Sequence, residues 1–267
     1  MRQRILLTIR DVVAAVAIVG IILAALWAYT GQFPGTPMVV VTSGSMMHDD
    51  ASYGKIGTID PGDLVLVKKI DGQGDITARG AAANPTTGKR TYGDYGDVII
   101  YYPMGNEGRT PVIHRAICWV EVHENGTYSV DAYDIRYAQS ISIPELQLTG
   151  YKPSIESGSG FITKGDNNRL PDQYPSGGIC AQPVKPEWVI GKARGELPWF
   201  GLIKLMIYGN EEVNGEPGWV KIGNAVAPKD IWVCLGLSLL GIAAVPISLD
   251  AYEYYRRRQN EKNFREF

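Results

Sequence analysis

Two uncharged apolar runs, one near each end of the chain, constrain its fold more than any other feature. Residues 12–29 read VVAAVAIVGIILAALWAY and residues 231–249 read IWVCLGLSLLGIAAVPISL. A run of about 18 apolar residues is long enough to cross a hydrocarbon core of about 30 Å as a helix. Trp27 and Tyr29 fall at the outer end of the first run, where aromatic rings settle at a membrane interface. Pro246, near the end of the second run, is tolerated in a membrane helix. Arg2, Arg4 and Arg10 precede the first run, and Arg256, Arg257 and Arg258 follow the second. Positive flanks stay inside, so both termini are expected in the cytoplasm and the long middle segment on the opposite side. A cleaved signal peptide fits the first run less well, because the run outlasts a usual apolar core and no A-x-A site follows it.

The expected organisation is a cytoplasmic N-terminus (1–11), a transmembrane helix (12–29) and an extracytoplasmic domain (30–229). A second transmembrane helix (230–249) and a basic cytoplasmic tail (250–267) complete it. This describes a two-pass protein of the cell membrane, with the lipid bilayer as its first partner. A formal net charge of -2 and a pI near 6.0 give no reason to expect nucleic-acid binding. Of the three cysteines, Cys234 lies in the second apolar run, so only Cys118 and Cys180 are available to pair. Cys118 reads better as a buried thiol of a strand, and the spacing resembles no metal site.

Between the anchors helical periodicity is scarce, while short β-rich runs recur at 38–41, 63–70, 97–102, 112–120, 126–131 and 188–193. Pro61-Gly62, Gly93, Gly96, Pro103, Pro111 and Gly177-Gly178 punctuate them. The pattern predicts a mainly β fold, a curled antiparallel sheet of β-barrel-like form between two transmembrane helices. Residues 71–94 and 134–159 are polar and look inserted, as surface loops or small subdomains to which no chemistry is assigned. Residues 198–208 (PWFGLIKLMIY) are apolar but too short to span, and suit either the membrane interface or a place beneath the domain. Asn125-Gly126-Thr127 fits the N-glycosylation pattern, which suits an external domain.

Three short segments carry candidate chemistry: Thr42-Ser43-Gly44-Ser45-Met46, Ile113-His114-Arg115, and Lys164-Gly165-Asp166-Asn167-Asn168 with Asp172 beyond it. Singly each has an ordinary explanation: a flexible turn, a satisfied strand histidine, a polar turn bonded to local backbone. Together they resemble the type I signal peptidases, specifically the archaeal and endoplasmic-reticulum branch. That branch carries a Ser-Gly-Ser-Met box after an N-terminal anchor, a His-Arg box on a strand and a Gly-Asp-Asn-Asn box trailed by another Asp. Gly96-Asp97-Val98-Ile99 and Gly191-Lys192-Ala193 also look like strands of that family.

The resemblance implies a serine endopeptidase that needs no cofactor and no metal. Its substrates would be signal peptides of exported precursors, cut after small side chains, with the protein translocation machinery as a further partner. Ser45 would be the nucleophile and His114 the general base. Asp172 would orient the base, with Asp166 as the competing acid. The Ser45 N–H and the Ser43 hydroxyl would stabilise the oxyanion.

The sequence departs from the family after Met46. Met47-His48 stands where an acidic residue and a proline are usual, which adds His48 as a rival base. Two other readings compete. One is a Ser-Lys peptidase using Lys68 or Lys69, as in the bacterial branch; the other is a membrane-anchored β-domain serving as a non-catalytic scaffold.

Overall fold

A computed structural model describes residues 2–48, 54–86, 88, 90–210 and 218–263. Helix α1 (Arg2–Thr30) and helix α3 (Lys229–Asn263) carry the two apolar runs. Val16 and Leu240 are 66% and 67% exposed, and among the described residues no part of the β-domain covers the middle of either helix. A helix that is apolar on every side needs an apolar surround, and both are long and apolar enough to cross a membrane. α3 runs past residue 249 as far as Asn263, because the Tyr-, Glu- and Arg-rich continuation is itself helix-forming. Residues 264–267 of the expected tail lie outside the described residues.

The domain between the helices is mainly antiparallel β. Its main sheet comprises β1 (Met38–Val40), β2 (Leu64–Lys68), β3 (Val98–Tyr101), β4 (Val112–Val122), β5 (Tyr128–Val130), β6 (Ile135–Ala138), β7 (Gly160–Lys164) and β8 (Val189–Leu197). The spatial order is β1-β2-β8-β3-β4-β5-β6, with β7 added to β4. The expected barrel-like closure is absent among the described residues: the path is open, with β1 at one edge and β6 at the other. The pairing that closure needs is spent on β4, whose 11 residues serve three partners. β3 and β7 both meet it at Arg115, and β5 meets it at Glu121 and Val122.

The six strand-like runs all form strands, with ends shifted by a few residues. β7 was not anticipated, although Phe161-Ile162-Thr163 between glycines suits a strand. The 134–159 insertion adds β6 to the edge of the main sheet and then forms a small subdomain. Its hairpin, Ile141–Ile143 with Leu148–Tyr151, buries Ile141, Ile143, Leu146 and Leu148 against Ile117, Cys118 and Val120 of β4. Residues 198–208 lead into and form α2 (Gly201–Tyr208), which packs beneath the domain as one of the two alternatives expected. Leu202 and Leu205 pack on Ile231 and Leu235 at the start of α3, while Ile207 and Tyr208 are exposed. All three cysteines are free thiols.

Strand register brings the three segments together. In β4, His114 lies opposite Ile99 of β3, and Arg115 lies between Val98 of β3 and Lys164 of β7. β7 therefore ends beside the His-Arg pair, and the Gly-Asp-Asn-Asn turn starts there. The serine segment leaves β1 through Val41, whose N–H and C=O bond Asp63 and Gly62. It is then fastened to that turn by the Asn167 N–H, which donates to the Ser45 carbonyl at 2.9 Å.

Candidate active site

Ser45, His114 and Asp172 form one continuous hydrogen-bonded chain, although they are 69 and 58 positions apart in sequence. The Ser45 hydroxyl lies 3.0 Å from His114 Nε2. On the other side of the ring, Nδ1 lies 2.9 and 2.7 Å from the two carboxylate oxygens of Asp172. A carboxylate only accepts, so Nδ1 carries the proton and Nε2 is left to accept from the serine. The side chains of His114 and Asp172 are 4% and 2% exposed, so water competes little for these bonds.

Sequence reasoning missed the groups that hold Asp172. Its Oδ2 accepts from the Tyr101 hydroxyl at 2.7 Å and from the Thr163 hydroxyl at 2.6 Å. Burial, together with the neighbouring carboxylate, pushes the Tyr101 hydroxyl well above its ordinary range, so it remains a donor. The Asp172 N–H also donates to the Thr163 carbonyl at 2.8 Å, which folds the loop back onto β7. Nothing in DVIIYYP singles out Tyr101, because which tyrosine turns toward β7 depends on the β3–β4 register. Thr163, two residues before the Gly-Asp-Asn-Asn turn, had the better signal.

Asp166 makes no hydrogen bond to His114. It accepts from Arg115 Nε at 2.8 Å, from Arg115 Nη2, and from His48 Nε2 at 3.0 Å. Burial alone would raise its carboxyl, but the Arg115 and His48 bonds outweigh that and hold it below the usual range. The Arg115 side chain is fully buried, and its Nη1 and Nη2 also donate to the carbonyls of Thr91, Tyr92 and Gly96. The 71–94 insertion is thus wired to the site.

His48 is held by Asp166 and the Tyr92 carbonyl, and among the described residues it makes no bond to Ser45. Lys68 lies over the Tyr29 ring at the end of α1, 5.9 Å from its centroid, and the Lys69 N–H donates to the Thr30 carbonyl. Neither lysine is hydrogen-bonded to Ser45. Ser43 Oγ stands 3.3 Å from Ser45 Oγ. The Ser45 N–H makes no hydrogen bond among the described residues, which leaves it available to a ligand.

Ser45 opens on a cleft of about 370 Å³ walled by Val39, Val40, Ile100, Pro111 and Ile113, with Ser43 on its rim. A larger cavity of about 570 Å³ lies beside Tyr29 and Arg194 and contains none of these catalytic candidates. The serine loop is also anchored toward α3. Asn210 Nδ2 donates to the carbonyls of Thr42 and Val226, and Val226 belongs to the strand Ala225–Pro228 that runs directly into that helix. A hydroxyl bonded to an oriented neutral imidazole, beside two candidate oxyanion donors, can perform nucleophilic acyl transfer. No protein-family model matches the chain, and no curated protein matches it.

Proposed function

We propose that this chain is a membrane-anchored serine endopeptidase that removes signal peptides from exported precursors, like the type I signal peptidases its three boxes resemble. The observation that carries the reading is the Ser45–His114–Asp172 chain opening on an apolar cleft. Its loop is tied to the root of an apolar helix.

A serine hydroxyl is a weak nucleophile near neutral pH and needs a base already in contact. His114 Nε2 takes the proton as Ser45 Oγ attacks the scissile carbonyl, and the Nδ1–H bond to Asp172 stabilises the imidazolium that forms. The Ser45 N–H and Ser43 hydroxyl face the oxyanion, each worth about 3 kcal/mol in comparable sites. His114 then gives its proton to the departing amine, leaving the signal peptide esterified to Ser45. Water, deprotonated by the same ring, releases it as a free carboxylate.

Among the described residues β1 is an edge strand with one side unpaired, and Val39 and Val40 wall the cleft, so a precursor segment in extended form can add beside it. Ile100, Pro111 and Ile113 restrict the space near Ser45, which suits small side chains before the cut. The positive flanks of the two helices support a topology with both termini cytoplasmic and the β-domain on the far side.

The test is cleavage of a precursor ending its signal in Ala-x-Ala by the detergent-solubilised full chain. One cut after the small residue is expected, lost in Ser45→Ala and His114→Ala and kept in Lys68→Ala and Lys69→Ala. Activity that survives His114→Ala but is lost with Lys68 or Lys69 would favour the lysine-base reading. No product from folded wild-type protein would favour the scaffold.

A further inference from the structure

His48 stands at the far end of the serine loop and joins it to the groups behind the general base. Its Nε2 lies 3.0 Å from the Tyr92 carbonyl and 3.0 Å from Asp166 Oδ2. Both partners only accept, so Nε2 carries a proton in either charge state and the ring titrates at Nδ1. Asp166 is in turn clasped by Arg115, which follows the general base in sequence and is fully buried. On its other side Asp166 precedes Asn167, whose N–H and Nδ2 donate to the carbonyls of Ser45 and Gly44 at 2.9 and 3.1 Å. The ring lies against Gly93, where any side chain would meet Nε2 at 2.8 Å. A closed circuit therefore runs from the nucleophile through His48, Asp166 and Asn167 back to the nucleophile.

We propose that His48 is a positioning residue that makes the reactivity of Ser45 pH-dependent: as an imidazolium it clamps the serine loop to Asp166, and loss of its proton loosens that clamp. This rests on the peptidase reading given above. The charged groups facing the ring among the described residues are Asp166, Arg115 and, farther along its own loop, Asp60. The Asp166 hydrogen bond raises the ring above its ordinary value of 6.5, helped by the Asp166 charge and the Tyr92 carbonyl, while burial and Arg115 oppose it. The clamp is complete below that ordinary value and is lost as pH rises through the raised one. A charge-assisted bond is about twice as strong as its neutral counterpart, which is the difference the switch works through. Ser45 and His114 are separate from the ring that titrates, so the effect falls on kcat while KM is set by the cleft.

The experiment compares the full-length wild type with His48→Gln and His48→Ala in detergent, from pH 5.5 to 9.5. Gln keeps an N–H for both acceptors but cannot become charged. Wild-type kcat is expected to fall on the alkaline side with an apparent pKa above 6.5. His48→Gln is expected to lose that limb and to run about tenfold slower at pH 6.5 with KM unchanged. His48→Ala is expected to be slower still. A second readout does not depend on peptidase activity: the Tm advantage of wild type over His48→Gln should be largest near pH 6 and vanish by pH 9. A kcat profile of His48→Gln that superimposes on wild type, limb included, overturns the proposal even if Tm shifts. If wild type cleaves nothing, the peptidase reading falls, and a Tm difference independent of pH then rejects the His48 clamp separately.

Discussion

Two aspartates six residues apart have different physical tasks. Asp172 holds the imidazole that faces Ser45, whereas Asp166 neutralises the buried guanidinium of Arg115. Asp172→Asn should therefore cost mainly rate, about 10⁴ in kcat, because the ring loses the acceptor that fixes its tautomer. Asp166→Ala should cost mainly stability, about 3–5 kcal/mol, because it leaves a buried charge without its partner. Single-turnover cleavage and chemical denaturation of both variants separate the two effects, and interchanged results would contradict the assignment. Ser45, His114 and the preference for Asp172 were legible because each sits in a short box with a recognisable neighbour. Tyr101 and Thr163 were not, since a hydroxyl in an apolar strand shows its purpose only once register sets what lies opposite.

The turn before β2 carries a buried carboxyl that couples stability to pH. Asp63 is buried there, accepting from the Trp199 N–H at 2.9 Å and the Asp60 N–H at 2.8 Å, and so ties β2 to the approach to α2. Burial pushes its carboxyl from 3.8 up to about 7. Between those values the folded chain keeps a proton that the unfolded chain has released, so stability falls as pH rises from about 4 to about 7. Asp60 and Glu196, both raised by burial, act in the same direction. Asp63→Asn should flatten the decline of Tm between pH 5 and pH 8, and an unchanged slope would remove Asp63 as its source. In the same turn Gly62 has φ +99 and an added Cβ would meet Leu202 of α2 at 2.5 Å. Gly62→Ala should lower stability by about 1–3 kcal/mol through strain and overpacking, measurable by denaturant midpoint. Alternating and β-branched runs made most main-sheet strands readable. The open sheet was not, because closure depends on how many partners one long strand takes, and β4 takes three.

Over the whole molecule, the ends of the chain and its middle divide cleanly. Two apolar helices leave a β-domain whose serine loop is linked through Asn210 to the strand entering α3, which keeps Ser45 near the root of that helix. Charged flanks predict that a tag placed after Phe267 is reached by an impermeant reagent only from the cytoplasmic face, whereas the β-domain is reached only from the other. Labelling of both from one side would contradict the topology. The two apolar helices were plain in the sequence because hydropathy over about 18 residues is a strong signal. The bond from Asn210 to Thr42 joins residues with no shared pattern.

The most direct test of the account is acid quenching of a single turnover, followed by mass spectrometry of the protein. The account predicts the signal peptide esterified through its C-terminal carbonyl to Ser45, accumulating before free peptide appears and absent from Ser45→Ala. Cleavage that proceeds with no adduct on Ser45, or with the adduct on another residue, would contradict it.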